Sequence, residues 1–155
     1  MRVITQSLPK PSKTSLYDRD LNLWLEEASA QLKCGDFHNL DIENLVEELE
    51  GLAGRDRREL ESRLTRLIEH ILKRCYVGLP ECYRGWEVTI ANQRNELKII
   101  LRQSPSLKRL MLSTFDQSLE SALEVIRIEY DTTNFPDKWQ FSRDIDSLLN
   151  VRFWQ

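Results

Sequence analysis

The chain has 155 residues, 30% of them charged, with a formal net charge of −3 and a mean hydropathy of −0.49. A chain of this length fits one domain with a real core, and no apolar run in it reaches the length of a membrane span. The small net charge argues against a duplex-binding protein, which carries a larger basic excess. Five Gly and five Pro, against abundant Leu, Glu and Arg, favour helix over strand. Three cysteines, Cys34, Cys75 and Cys82, without a C-x-x-C pattern argue against a disulfide framework. The N-terminus lacks the apolar core of a signal peptide. Reduced thiols and a cytoplasmic location are the expectation.

The first fifteen residues are polar, carry Pro9 and Pro11, and read as a flexible arm ahead of a single domain over residues 16–155. A first helix is predicted from Asp18 to Lys33, with Leu21, Trp24, Leu25, Ala28 and Leu32 on its buried face and Gly35 as its stop. After a short linker, Asp41 caps a long second helix that reaches Tyr76. Its apolar positions are Ile42, Leu45, Val46, Leu49, Leu52 and Ala53, then Leu60, Leu64, Leu67, Ile68, Ile71, Leu72 and Cys75, the three-and-four spacing of a helix face. Gly51 and Gly54 interrupt it, each costing about 1 kcal/mol relative to Ala, and predict a bend. Pro80 to Arg84 reads as a loop, and a third helix as Gly85 to Gln103, with Trp86, Ile90, Leu97, Ile100 and Leu101 inward. Ser104-Pro105 reads as the N-cap and first residue of a fourth helix reaching Tyr130, with Leu107, Met111, Phe115, Ala122, Val125 and Ile126 buried. Ser142 is the expected cap of a short last helix through Leu149. The predicted fold is all-α: a helical bundle of four main helices with a long bent second helix and a short C-terminal helix.

The run from Leu16 to Leu64, followed by LIEHILKRCY, GWEVTIANQRNEL, SPSLKRLM and NFPDKW, resembles the Domain of Unknown Function family 29, small bacterial proteins frequent in cyanobacteria. The resemblance extends from Leu16 to Trp154. It implies an all-helical fold and no particular activity.

Charge is unevenly placed. Asp41 to Glu50 holds five acids and no base, whereas Ser62 to Arg109 holds ten bases against four Glu. Glu43, Glu47 and Glu50 share one stripe of the second helix, an arrangement that could bind metal in a bundle. The Glu-x-x-His pairs of a di-iron site are missing, and a solvated or salt-bridged face is the simpler reading. Cys34, His38, His70 and Cys75 have no established zinc spacing. Arg63, Arg66, His70 and Arg74 form a second stripe, with Lys73 beside it, that could meet phosphate or pair with acids on a neighbouring helix. His70 reads as a flanking polar residue. Gln93 falls within the apolar face of the third helix, with Arg94 at its edge. A buried amide needs partners or costs about 1–3 kcal/mol, so a hydrogen bond from Gln93 or Arg94 to Glu47 or Glu50 is predicted. It depends on the bend at Gly51–Gly54; a straight helix would leave Gln93 nearer Arg63 or Arg66.

No nucleophile elbow, phosphate loop or dinucleotide fingerprint is present, and neither cofactor nor metal is expected. The leading expectation is a protein-binding or regulatory module whose partner is another protein, with no role at a membrane. One rival is a nucleic-acid-associated or antitoxin-like protein using Arg63, Arg66, Lys73 and Arg74. The other is a metal-dependent hydrolase or nuclease using Glu47, Glu50, His70 and Gln93.

Overall fold

A computed structural model describes residues 14–155; the arm expected over the first fifteen residues lies almost wholly outside them. The described residues form seven helices and no strand: α1 (Leu16–Arg19), α2 (Leu21–Cys34), α3 (Ile42–Tyr76), α4 (Pro80–Gln103), α5 (Leu107–Ser113), α6 (Phe115–Glu129) and α7 (Ile145–Asn150). Among them, no helix is long and apolar enough to cross a membrane. The chain divides into two compact units, one ending at Gly51 and the other running Leu52–Gln155. Helix α3 is unbroken through Gly51 and Gly54 and contributes to both.

In the first unit, the expected single helix is divided at Asp20, which closes α1 and caps α2 by accepting the Leu23 N–H at 3.0 Å. Gly35 ends α2 in the left-handed region at φ 76°, and the Asp36 N–H returns to the Gln31 carbonyl at 2.9 Å. Two bonds tie α1 and α2 to the first turns of α3. Tyr17 donates to Glu48 at 2.7 Å, and the Trp24 indole donates to Asp41 at 3.1 Å. As the donor number rises the acceptor number falls, so this pairing is antiparallel. Trp24 and Ala28 are the buried apolar residues of α2, whereas the expected inward residues Leu21, Leu25 and Leu32 are exposed.

The second unit has a continuous core. Leu60, Leu64, Leu67, Ile68, Ile71 and Leu72 of α3 pack with Ile90 and Leu97 of α4, Met111 of α5, Phe115 and Ile126 of α6, and Leu148 of α7. Aromatic edges draw in the segment after α6: Trp139 meets Phe115, Phe141 and Phe153, and Phe135 meets Tyr76.

Several boundaries differ from expectation for local reasons. Helix α4 starts at Pro80, not after Arg84, because a first-turn residue needs no N–H partner. Ser104 closes α4 through its N–H to the Ile100 carbonyl and does not open the next helix. The long fourth helix is two helices that meet at Thr114, whose hydroxyl shares the Leu110 carbonyl with its own N–H, each at 2.9 Å. Asp144, not Ser142, caps α7, accepting the Ser147 N–H at 2.9 Å. Ser142 donates to Asp144 instead; with the Ser147 bonds, that holds the Asp144 pKa down to about 2. Val125, expected inside, is exposed.

Candidate functional site

Exposed apolar residues gather on the first unit. On α3, Ile42, Val46 and Leu49 are 59%, 45% and 57% exposed; on α2, Leu21, Leu25 and Leu32 are about equally so. With roughly 100° per residue, each trio forms one stripe, and each stripe lies on the same rotational side of the buried contact. In an antiparallel pair, that places both stripes on one face. The spacing that made these residues look like core is real; what they lack is a cover among the described residues.

Carboxylates border this face. Glu43, Glu47 and Glu50 are exposed and run along α3 directly beside Ile42, Val46 and Leu49. Glu48 lies toward α1, where its bond pushes the Tyr17 phenol up to about 12. Asp41 is held below the usual carboxylate range by the Asn44 amide, with help from the Trp24 indole. Residues 14–51 carry ten Asp/Glu against Arg19 and Lys33, a net charge of −8. The face thus combines exposed apolar area from two helices with a border of carboxylates.

The basic stripe of α3 lies in the second unit, and most of it is engaged internally. Arg63 bonds Glu59 at 3.0 Å and pairs with Glu96 at 3.8 Å. Lys73 is buried against Glu129 at 2.7 Å. Arg74 donates to Glu87 at 2.8 Å and stacks 3.8 Å from the Tyr83 ring centre. That bond is the main cause of the lowered Glu87 pKa. Arg66 alone of the stripe faces an open groove of about 720 Å³, beside Arg58, Ser62 and Glu69. The groove's hydroxyls from Thr65, Ser113 and Thr114 donate to carbonyls three or four residues back along the chain.

His70 is a correction. It is buried, not flanking, and its Nδ1 lies 2.9 Å from the Arg66 carbonyl. In the neutral ring that nitrogen carries the proton and donates. Burial pushes the pKa of His70 down.

Gln93 and Arg94 exchange the roles expected of them. Arg94 is buried; its Nε donates to the Leu148 carbonyl at 2.9 Å and its Nη2 to the Val151 carbonyl at 2.6 Å. Gln93 is half-buried and accepts from Arg63 at 3.3 Å. The predicted bonds from this pair to Glu47 or Glu50 are therefore replaced by bonds to Leu148, Val151 and Arg63. The buried face of α4 runs Trp86, Ile90, Arg94, Leu97 and Leu101. Ile100 is only half-buried, and counting it as inward turned the predicted face toward Gln93.

Among the described residues, no group of three or more His, Cys, Asp or Glu side chains is placed to share a metal ion. The sequence reading missed the exposure of the α2 and α3 stripes. The signal for it was the excess of apolar positions over what two short helices can cover for one another. The family model described as "Domain of unknown function DUF29" matches residues 16–154. No curated protein and no solved structure matches the chain.

Proposed function

The chain belongs to the DUF29 family, and we propose that it works as a protein-binding module, with the apolar and acidic face of α2 and α3 as its contact surface. The observation that carries this reading is the pair of exposed stripes, Leu21/Leu25/Leu32 and Ile42/Val46/Leu49, bordered by Glu43, Glu47 and Glu50. Apolar stripes on paired helices accept the apolar face of a third helix, and a net charge of −8 over residues 14–51 selects a basic one. The partner is thus a protein carrying a basic amphipathic helix.

The charge of this unit repels nucleic acid. At Arg63, Lys73 and Arg74 of the α3 stripe, phosphate would also have to displace Glu59, Glu129 and Glu87. The protein reading is favoured over the nucleic-acid one on both counts.

The test is fluorescence anisotropy with a labelled Leu/Lys amphipathic peptide, alongside labelled duplex DNA at the same salt. Saturable peptide binding is expected, weakened at least tenfold in a Val46→Asp/Leu49→Asp variant, with no binding of the duplex. Both positions are exposed, so the fold tolerates the change. Equal binding by the variant, or preference for DNA, overturns the proposal.

A further inference from the structure

The second unit carries an open groove of about 550 Å³ between the end of α4, the start of α5, and α7. That size suits a small ligand. Its floor is apolar: Leu101 and Leu149 are buried core residues, and Ile145 packs beside them. Its rim carries Lys98, Arg102 and Lys108. Among the described residues, none of these three cations forms an ion pair, in contrast to Arg63, Lys73 and Arg74. The rim carboxylate, Asp146, accepts from Asn150 of its own helix at 2.9 Å.

Helix electrostatics account for part of this arrangement and not the rest. Arg102 falls in the last turn of α4, where a cation is favoured. Lys108 sits in the first turn of α5, where a cation is disfavoured. Three cations lining one groove beside apolar residues, one of them against its own helix dipole, fit an anion better than they fit the local fold.

We propose that this groove binds a small amphipathic anion: an oxyanion head held by Lys98, Arg102 and Lys108, on an apolar body seated over Leu101, Ile145 and Leu149. A guanidinium with two ammonium groups matches a phosphate monoester or carboxylate head. The apolar floor separates such a ligand from inorganic phosphate. This site lies wholly within the second unit and does not depend on the protein-binding face.

The test is titration of the full chain with 1-naphthyl phosphate, with inorganic phosphate and 1-naphthol as comparisons, followed by calorimetry and by amide shifts in ¹⁵N spectra. Naphthyl phosphate is expected to bind saturably and at least tenfold more tightly than either comparison. Shifts should centre on Lys98–Gln103, Lys108 and Ile145–Asn150. A Lys98→Ala/Arg102→Ala variant, altered only at the rim, should weaken binding at least tenfold while its spectrum elsewhere stays native. The absence of saturable binding, equal affinity for inorganic phosphate, unchanged affinity in the variant, or shifts centred elsewhere would overturn the proposal.

Discussion

Arg94 shows what a single side chain does for this fold. Its guanidinium is buried, burial pulls its pKa down, and its two donors meet the Leu148 and Val151 carbonyls at the end of α7. Helix ends leave carbonyls without intrahelical partners, so this one arginine fastens the C-terminal segment to α4. Arg94→Leu strands both carbonyls and should cost about 2–3 kcal/mol, the range for bonds to a charged group. Gln93→Leu should cost less than about 1 kcal/mol, because Arg63 keeps Glu59 and Glu96 as partners. Urea midpoints of the two variants against the parent settle the order; a larger loss at Gln93 would contradict these roles. His70 adds a pH dependence. Its folded pKa lies below the unfolded value, so the native state prefers the neutral ring. Its contribution is therefore complete above about pH 6.5 and is lost as pH falls through the depressed folded value. Thermal midpoints across this range should fall more steeply for the parent than for His70→Gln. Parallel curves would show that the ring does not titrate on unfolding.

At the scale of the helix, two glycines of the first unit, Gly35 and Gly51, act in opposite ways. Gly35 sits at φ 76°, with nothing within 4 Å of the place an alanine methyl would take, so Gly35→Ala meets only a backbone penalty, about 1–2 kcal/mol. Gly51 has the same open surroundings but lies within unbroken α3. Gly51→Ala should therefore stabilise by up to about 1 kcal/mol. Thermal unfolding followed by helical circular dichroism should show the first variant shifted down and the second up. The same residues explain what was legible in the sequence. Propensity alone does not break a helix: Gly51 and Gly54 cost too little against the apolar periodicity on either side, so α3 continues. Periodicity located α2, α3, α4 and α6 because their apolar positions repeat over several turns, whether or not the structure covers them. It could not locate Asp20 or Thr114, where one hydrogen-bonding side chain divides a continuous apolar pattern. Nor could it tell a covered stripe from an open one: Ile42, Val46 and Leu49 repeat like Leu60, Leu64 and Leu67, and only three-dimensional packing separates them. Of the candidate site, the acidic border of Glu43, Glu47 and Glu50 was legible. The apolar face beside it was read as core, and the burial of Arg94 and His70 depended on partners far along the chain or on small rotations of a helix face.

For the whole molecule, the contrast between the units sets the order in which parts open. Stability is spread unevenly when apolar burial is uneven. The second unit buries residues from five helices in one cluster. In the first, Trp24 and Ala28 are the buried apolar residues among those described, supported by the Tyr17–Glu48 and Trp24–Asp41 bonds. Amides of Leu60–Leu72, Ile90–Leu101 and Phe115–Ile126 should therefore exchange with solvent only on global unfolding. Amides of Leu21–Cys34 and Ile42–Leu49 should exchange through a local opening, with protection lower by at least tenfold. Adding the basic amphipathic peptide should raise protection in the first unit and leave the second unchanged, because a ligand that binds only the closed form stabilises that form. Hydrogen exchange on the full chain, with and without peptide, reads both effects at once. Equal protection in the two units would show that α2 and the start of α3 are held by more than the contacts described. A peptide effect confined to the second unit would move the binding face away from Leu25, Val46 and Leu49.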